Sequence, residues 1–135
     1  MIVADCNLIA YLPLAGPRTL VAEAVFQRES VWVAPLLWRS EFRNILATQM
    51  RVNRLPLDDA ICKMTEAENV LAGREMVVIS DEVLEECGRS GLSAYDAEYV
   101  VVAKKLKVPL LTNDLRLLNA GTGVAQTPES FLAAG

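Results

Sequence analysis

Short apolar runs recur along the chain, and longer stretches of mixed polarity separate them. The runs cover residues 2–4, 31–34, 76–79 and 108–112, and a smaller one covers residues 124–125. Continuous runs of this length, rich in valine, isoleucine and leucine, are typical of strands buried on both faces of a parallel sheet. The pattern therefore predicts four strands and a small fifth strand near the end of the chain.

The longer stretches carry apolar residues at helical spacing, and proline, serine or acidic residues suited to a helix N-terminus stand near their starts. They predict helices over residues 17–28, 35–51, 56–73, 80–88 and 93–107, a short helix ending at 118, and a final helical turn at 127–129.

Two serines stand at the starts of predicted helices, and we expect Ser80 and Ser93 to act as N-caps. In the helix that follows Ser93, four residues recur at helical spacing, and this spacing predicts that they face the core. These four residues are Tyr95, Tyr99, Val102 and Leu106.

Strands that alternate with helices predict a mainly parallel sheet with helices on both faces, which is a three-layer α/β/α sandwich. Right-handed crossovers bring the carboxyl ends of the strands to one edge of the sheet, where such sheets bind their ligands. The chain has 135 residues, 53% hydrophobic and 22% charged, which is the size and composition of one globular domain. We expect residues 1–135 to form a single domain.

Four acidic residues are placed to meet at this edge. Asp5 directly follows the first predicted strand, and Asp114 follows the fourth. Glu41 lies on or beside an apolar helix face, and Asp96 lies in the first turn of the helix after Ser93. Three of them have ordinary alternatives when taken singly: Asp96 as the acid of a capping box, Asp114 as a turn or N-cap residue, and Glu41 as the partner of a neighbouring arginine.

Four carboxylates gathered at one edge would repel one another unless cations neutralised them. The chain contains no histidine, which excludes Ser-His-Asp and Cys-His catalysis and zinc sites built on imidazole. Oxygen ligands alone select a hard cation, Mg²⁺ or Mn²⁺. Such ions activate water and stabilise the leaving oxygen when a phosphodiester is hydrolysed, so the acidic residues predict this chemistry.

The cysteines and the N-terminus indicate a compartment. Cys6, Cys62 and Cys87 are far apart and odd in number, which argues against a disulfide framework or a Cys-only zinc site and favours a reducing cytoplasm. No uncharged apolar run is long enough to cross a bilayer, and no basic region precedes an apolar stretch as in a signal peptide. We therefore expect a cytoplasmic protein that does not enter membranes.

Charge is distributed unevenly along the chain. The net charge is −4, but residues 58–86 carry nine acidic side chains against two basic ones, so the remaining residues are net positive. Residues 39–54 carry four arginines and one acidic residue. A basic surface beside an acidic one is compatible with a ligand that bears phosphate, and RNA would avoid the acidic segment.

Four segments together resemble the PIN-domain family, and most closely the VapC-type ribonuclease toxins of bacterial toxin–antitoxin pairs. The segments are residues 2–9 (IVADCNLI), 38–46 (WRSEFRNIL), 92–99 (LSAYDAEY) and 110–114 (LLTND). The resemblance extends from residue 2 to about residue 132, and the order of strands and helices agrees with it.

This resemblance implies an α/β/α sandwich and an endoribonuclease that depends on Mg²⁺ or Mn²⁺ and hydrolyses phosphodiester bonds in RNA. Asp5, Glu41, Asp96 and Asp114 match the acidic cluster of the family and would hold the metal. The resemblance also implies a homodimer and a cognate antitoxin, a small protein that covers the active site.

Further positions take their expected roles from the same resemblance. Asn7, Thr112 and Asn113 match positions whose side chains orient the acids or a metal-bound water by hydrogen bonding. The candidates for contact with the RNA backbone are Arg39, Arg43 and Arg116, followed by Arg51, Arg54, Lys104 and Lys105. Many relatives carry another acid shortly after the last motif acid, where this chain has Arg116, so the number of metal ions stays open.

Two other classes of function fit part of the pattern. A phosphotransfer enzyme would use the aspartate after the first strand as acceptor, but haloacid-dehalogenase-like enzymes carry a second aspartate two residues later, where this chain has Asn7. A PIN-like module that binds RNA or a protein without cutting would have no physical reason to keep four repelling carboxylates. A dinucleotide-binding fold is disfavoured because no G-x-G-x-x-G follows the first strand.

Overall fold

Five short strands form one parallel sheet in the computed structural model, which describes all residues from Met1 to Gly135. The strands are β1 (Ile2–Ala4), β2 (Trp32–Pro35), β3 (Glu75–Met76), β4 (Leu110–Leu111) and β5 (Ala125–Gln126). Their order across the sheet is β3-β2-β1-β4-β5, and every neighbouring pair is parallel. β1 is therefore the central strand, and all three of its residues are buried.

Eight helices flank the sheet. They are α1 (Cys6–Ala10), α2 (Thr19–Arg28), α3 (Trp38–Val52), α4 (Leu57–Leu71), α5 (Ser80–Ser90), α6 (Ala94–Leu106), α7 (Leu115–Asn119) and α8 (Pro128–Ala133). α6 packs against β1, β2 and β4, and α4 packs against β2. The predicted three-layer α/β/α arrangement around a parallel sheet is confirmed.

The core consists of one main cluster of 25 buried hydrophobic residues that joins the sheet to its helices. Trp32, Trp38 and Phe42 are its largest fully buried side chains. A small second cluster of Val83, Ala97 and Val101 lies where α5 packs against α6. All three cysteines are free, and none of the helices combines the length and apolar character needed to cross a bilayer.

The predicted third strand, over residues 76–79, was wrong in extent. β3 contains only Glu75 and Met76, while Val77 and Ile79 are 83% and 53% exposed. β3 is an edge strand. The last hydrogen bond between β2 and β3 runs from the backbone N–H of Leu36 to the carbonyl of Met76. The apolar run continues past the sheet, where no neighbouring strand covers it.

Several helix starts also differ from the sequence prediction. Pro35 ends β2, in register with Met76, and α3 begins only at Trp38. Ser80 is the first residue of α5 and not, as was predicted, its N-cap. Ile79 occupies the N-cap position, and its side chain makes no capping hydrogen bond. α1 was not predicted, and its first residue directly follows Asp5.

The helix after Ser93 matches its prediction in most respects. The Ser93 hydroxyl accepts a hydrogen bond from the backbone N–H of Asp96 and caps α6 as expected. Tyr99 and Val102 are buried, but Tyr95 is 64% exposed, so its predicted place in the core was wrong. Tyr95 lies in the first turn of α6, where Ala97 is fully buried, so only part of this turn is covered by neighbouring elements.

The core around β4 gives a test of the fold. We expect Leu110→Ala to lower the free energy of unfolding by about 2–5 kcal/mol, because Leu110 is fully buried between β1 and β5 and its loss leaves a cavity. Leu20→Ala, on an α2 residue that is 79% exposed, should change it by less than about 0.5 kcal/mol. Urea unfolding followed by circular dichroism measures both, and equal effects would contradict the packing described here.

Candidate functional site

Asp5 leaves the central strand and caps α1. Its Oδ1 accepts a hydrogen bond of 2.8 Å from the backbone N–H of Leu8, and its Oδ2 accepts one of 2.5 Å from the Thr112 hydroxyl. Ala4 pairs with Leu111 across the sheet, so the next residues along each strand, Asp5 and Thr112, meet beyond its edge. Both side chains are buried, and the site is anchored by the register of β1 and β4.

Glu41 approaches the same region from α3. Its Oε1 accepts a hydrogen bond of 2.5 Å from the hydroxyl of Tyr99 on α6. Burial, and then the charge of Glu41, raise the pKa of Tyr99 far above its usual value, so this hydroxyl keeps its proton and acts as the donor. The spacing of apolar residues predicts Tyr99 only as a core residue, and this contact was not predicted, although Tyr99 follows Asp96 by three residues on the same helix.

Asp96 and Asp114 complete the acidic set, and Arg116 lies between them. Asp114 is the N-cap of α7, with its Oδ1 accepting the backbone N–H of Arg116 at 2.8 Å. The Arg116 guanidinium binds both oxygens of Asp114, through Nε at 3.3 Å from Oδ1 and Nη2 at 3.0 Å from Oδ2. The same Nη2 lies 4.0 Å from Oδ2 of Asp96.

One cavity of about 300 Å³ joins these side chains. Asp5, Glu41, Asp96 and Asp114, which come from four separate elements of the fold, all line it. The other residues of this acidic pocket are Cys6, Asn7, Asn44, Ile45, Tyr99, Arg116 and Leu117. The structure therefore brings the four predicted acids together at the carboxyl edge of the sheet, with Asn7 among them.

Burial and mutual repulsion alter the acidity of the pocket. Burial, with a smaller contribution from the charges of Asp114 and Asp96, raises the pKa of Asp5 from an ordinary 3.8 to about 6, against the hydrogen bonds from Thr112 and Leu8. The pKa values of Glu41 and Asp96 are also raised, mainly by burial. Asp114 differs, because its hydrogen bonds with Arg116 lower its pKa.

The chemistry of these side chains fits a hard divalent cation, since they are carboxylates without imidazole or available thiolate. Cys6 also lines the pocket, but burial raises the pKa of its thiol well above the usual range, which keeps it neutral. In the observed arrangement, no three Asp, Glu or Cys side chains form a group that could hold a metal ion. The carboxylates are instead held by Thr112, Tyr99 and Arg116, so a bound ion would require side-chain rearrangement.

Some of the other predicted residues have partners elsewhere. Asn113 is exposed outside the pocket and accepts a hydrogen bond from Arg18. Arg39 is bound by Glu68 and Glu75, so its charge is already paired in this structure. Lys104 and Lys105 likewise pair with Glu86 and Glu82, whereas Arg43 is exposed on α3 and makes no such pair.

Comparison with known proteins supports a PIN-like fold. The structure of PAE2754 from Pyrobaculum aerophilum aligns with a TM-score of 0.74 and 22% sequence identity, over 98% of this chain and 87% of that one. FitAcB from Neisseria gonorrhoeae aligns with a TM-score of 0.69 and 18% identity, over 96% of this chain and 99% of that one. No model of a known family and no curated protein sequence matches the chain. The similarity is therefore one of fold.

The raised pKa of Asp5 gives a prediction for stability. The folded protein binds the Asp5 proton more tightly than the unfolded chain does, so the contribution of Asp5 to the free energy of unfolding should fall as pH rises from about 4 to about 6. Asp5→Asn removes this contribution, so the change in the free energy of unfolding between pH 4 and pH 7.5 should differ from that of wild type by about 1–3 kcal/mol, with less stability lost as pH rises. Urea unfolding with chelator present measures it, and Asp58→Asn, at an exposed position, controls for net charge. An unchanged fall in Asp5→Asn would contradict the buried, desolvated carboxylate.

The contact between Tyr99 and Glu41 gives a second prediction. Because the Tyr99 hydroxyl stabilises the ionised Glu41, Tyr99→Phe should raise the pKa of the Glu41 carboxyl further above its usual value. An NMR titration that follows the Glu41 carboxyl carbon in metal-free protein measures this change. Tyr95→Phe, which removes an exposed hydroxyl from the same helix, should leave that pKa unchanged.

Proposed function

We propose that this protein is a metal-dependent endoribonuclease of the PIN type that serves as the toxin of a toxin–antitoxin pair. The convergence of four carboxylates from separate elements on one pocket supports the nuclease. The toxin role, the antitoxin partner, the homodimer and the cytoplasmic location rest on the sequence resemblance to VapC-type toxins. The PIN-like fold supports the nuclease and the toxin role, and it does not bear on the homodimer or the location.

Asp5, Glu41, Asp96 and Asp114 would hold Mg²⁺ or Mn²⁺ in this proposal. The bound ion would supply a water molecule activated near neutral pH and would offset the charge of the phosphodiester. An anionic RNA backbone would otherwise be repelled by the four carboxylates, so the same ion would be needed for substrate to enter the pocket.

The surrounding residues of the chain would maintain this arrangement. Thr112 holds one oxygen of the buried Asp5, and Tyr99 holds one oxygen of the partly buried Glu41, so both acids keep a fixed orientation. Asn7 lines the pocket and is exposed, which suits it to orient a water molecule or a phosphate oxygen. For the RNA backbone we retain Arg43 and Arg116, both exposed, and omit Arg39, whose less exposed guanidinium is held by both Glu68 and Glu75.

A PIN-like module that binds RNA or protein without cutting is the second candidate. It is favoured by one observation, that no three acidic side chains of the chain form a group that could hold a metal ion in the observed arrangement. The two candidates differ in whether metal and the acids are required for chemistry.

Cleavage of total cellular RNA by the purified protein, free of partner, tests the proposal. We expect discrete fragments with Mg²⁺ or Mn²⁺ and none with chelator. Asp5→Asn and Asp96→Asn should each reduce cleavage by more than about 100-fold, because each removes a charged metal ligand. Asp58→Asn, whose side chain is exposed outside the pocket, serves as the matched control.

The outcomes separate the two candidates. Full cleavage by either pocket variant, or cleavage that persists in chelator, would overturn the proposed site. Absence of cleavage by folded wild-type protein under every condition would favour the binding module.

A further inference from the structure

Arg116 contributes the only basic side chain that lines the acidic pocket. Its guanidinium binds both oxygens of Asp114 and lies 4.0 Å from Asp96, so it bridges two carboxylates that come from different helix starts. A divalent cation held by the same carboxylates would bind the same oxygens. The arginine therefore competes for the ligands that the proposed metal needs.

In the metal-free protein, the negative charges of the pocket need a positive side chain beside them. Four carboxylates line the cavity, and Arg116 offsets part of their charge. Its hydrogen bonds lower the pKa of Asp114, and its charge opposes the rise in the pKa of Asp96. Asp5 and Glu41 are held instead by neutral hydroxyl groups of Thr112 and Tyr99.

Arg116 is also free to move away. Its side chain is 75% exposed, whereas those of Asp96 and Asp114 are 18% and 24% exposed. Arg116 and Asp96 also line a neighbouring cavity of about 420 Å³, between the end of α5 and the end of α7. A long side chain at this boundary can leave the acidic pocket without any change in the backbone.

We propose that Arg116 is a built-in counter-ion that holds Asp96 and Asp114 in the metal-free protein and must be displaced when Mg²⁺ or Mn²⁺ binds. Arg116 thereby sets the metal affinity of the site. This inference rests on the proposed metal-dependent function, because it concerns the same carboxylates. It adds a residue of this chain that limits how readily the site is loaded.

Calorimetric titration of Mn²⁺ into the metal-free full-length protein tests the inference without measuring RNA cleavage. Arg116→Gln keeps most of the side-chain length and removes the charge, and we expect it to bind Mn²⁺ about tenfold more tightly than wild type. Arg51→Gln removes an exposed arginine of α3 that does not line the pocket, and its affinity should stay within about twofold of wild type.

Thermal unfolding in chelator provides a second readout. Arg116→Gln should melt at a lower temperature than Arg51→Gln, because Asp96 and Asp114 lose their counter-ion while the four carboxylates remain together. Equal melting temperatures would count against the role of Arg116 as counter-ion.

The result of the titration separates this inference from the proposed function. Equal or weaker Mn²⁺ binding by Arg116→Gln would overturn the inference and leave the metal site in place. Mn²⁺ binding by Arg116→Gln together with no detectable binding by wild type would support the inference most strongly. Absence of Mn²⁺ binding by both proteins would overturn the proposed metal site, and with it the competition between Arg116 and the metal ion for Asp96 and Asp114.

Discussion

The burial of one carboxylate at the end of the central strand is the constraint on which the site depends. Asp5 lies where β1 ends, and its desolvation raises its pKa to about 6. The fold offsets this cost with two hydrogen bonds, one from the start of α1 and one from Thr112 beside β4. Both donors are in place only because β1 and β4 are parallel neighbours and because α1 starts directly after the strand.

The four acids of the pocket are stabilised in two different ways. Asp5 and Glu41, the more buried pair, receive hydrogen bonds from neutral hydroxyl groups, which leave their negative charge in place. Asp96 and Asp114, nearer to solvent, share the charge of Arg116. Most of the negative potential is therefore kept inside the pocket, where a small divalent ion would gain most from it.

Local and functional roles coincide at two of these acids. Asp5 caps α1 and Asp114 caps α7, so the ordinary interpretation of Asp114 as an N-cap is correct and does not compete with a role in the pocket. A capping carboxylate is held at a helix N-terminus in a fixed orientation. Capping thus helps to determine where these two acids lie relative to the metal-binding position that we propose.

The sequence by itself determined the alternation of strands and helices, the parallel sheet and the edge at which Asp5 and Asp114 emerge. A single sequence displays the short-range periodicity from which the strands and helices follow. The general handedness of crossovers then gives the sheet and its edge. Only the tertiary structure decided which side chains meet across elements. It paired Tyr99 with Glu41, bound Arg39 to Glu68 and Glu75, and placed Arg116 between Asp96 and Asp114. It also left Tyr95 exposed, because periodicity gives the spacing along a helix but not where the neighbouring elements begin to cover it.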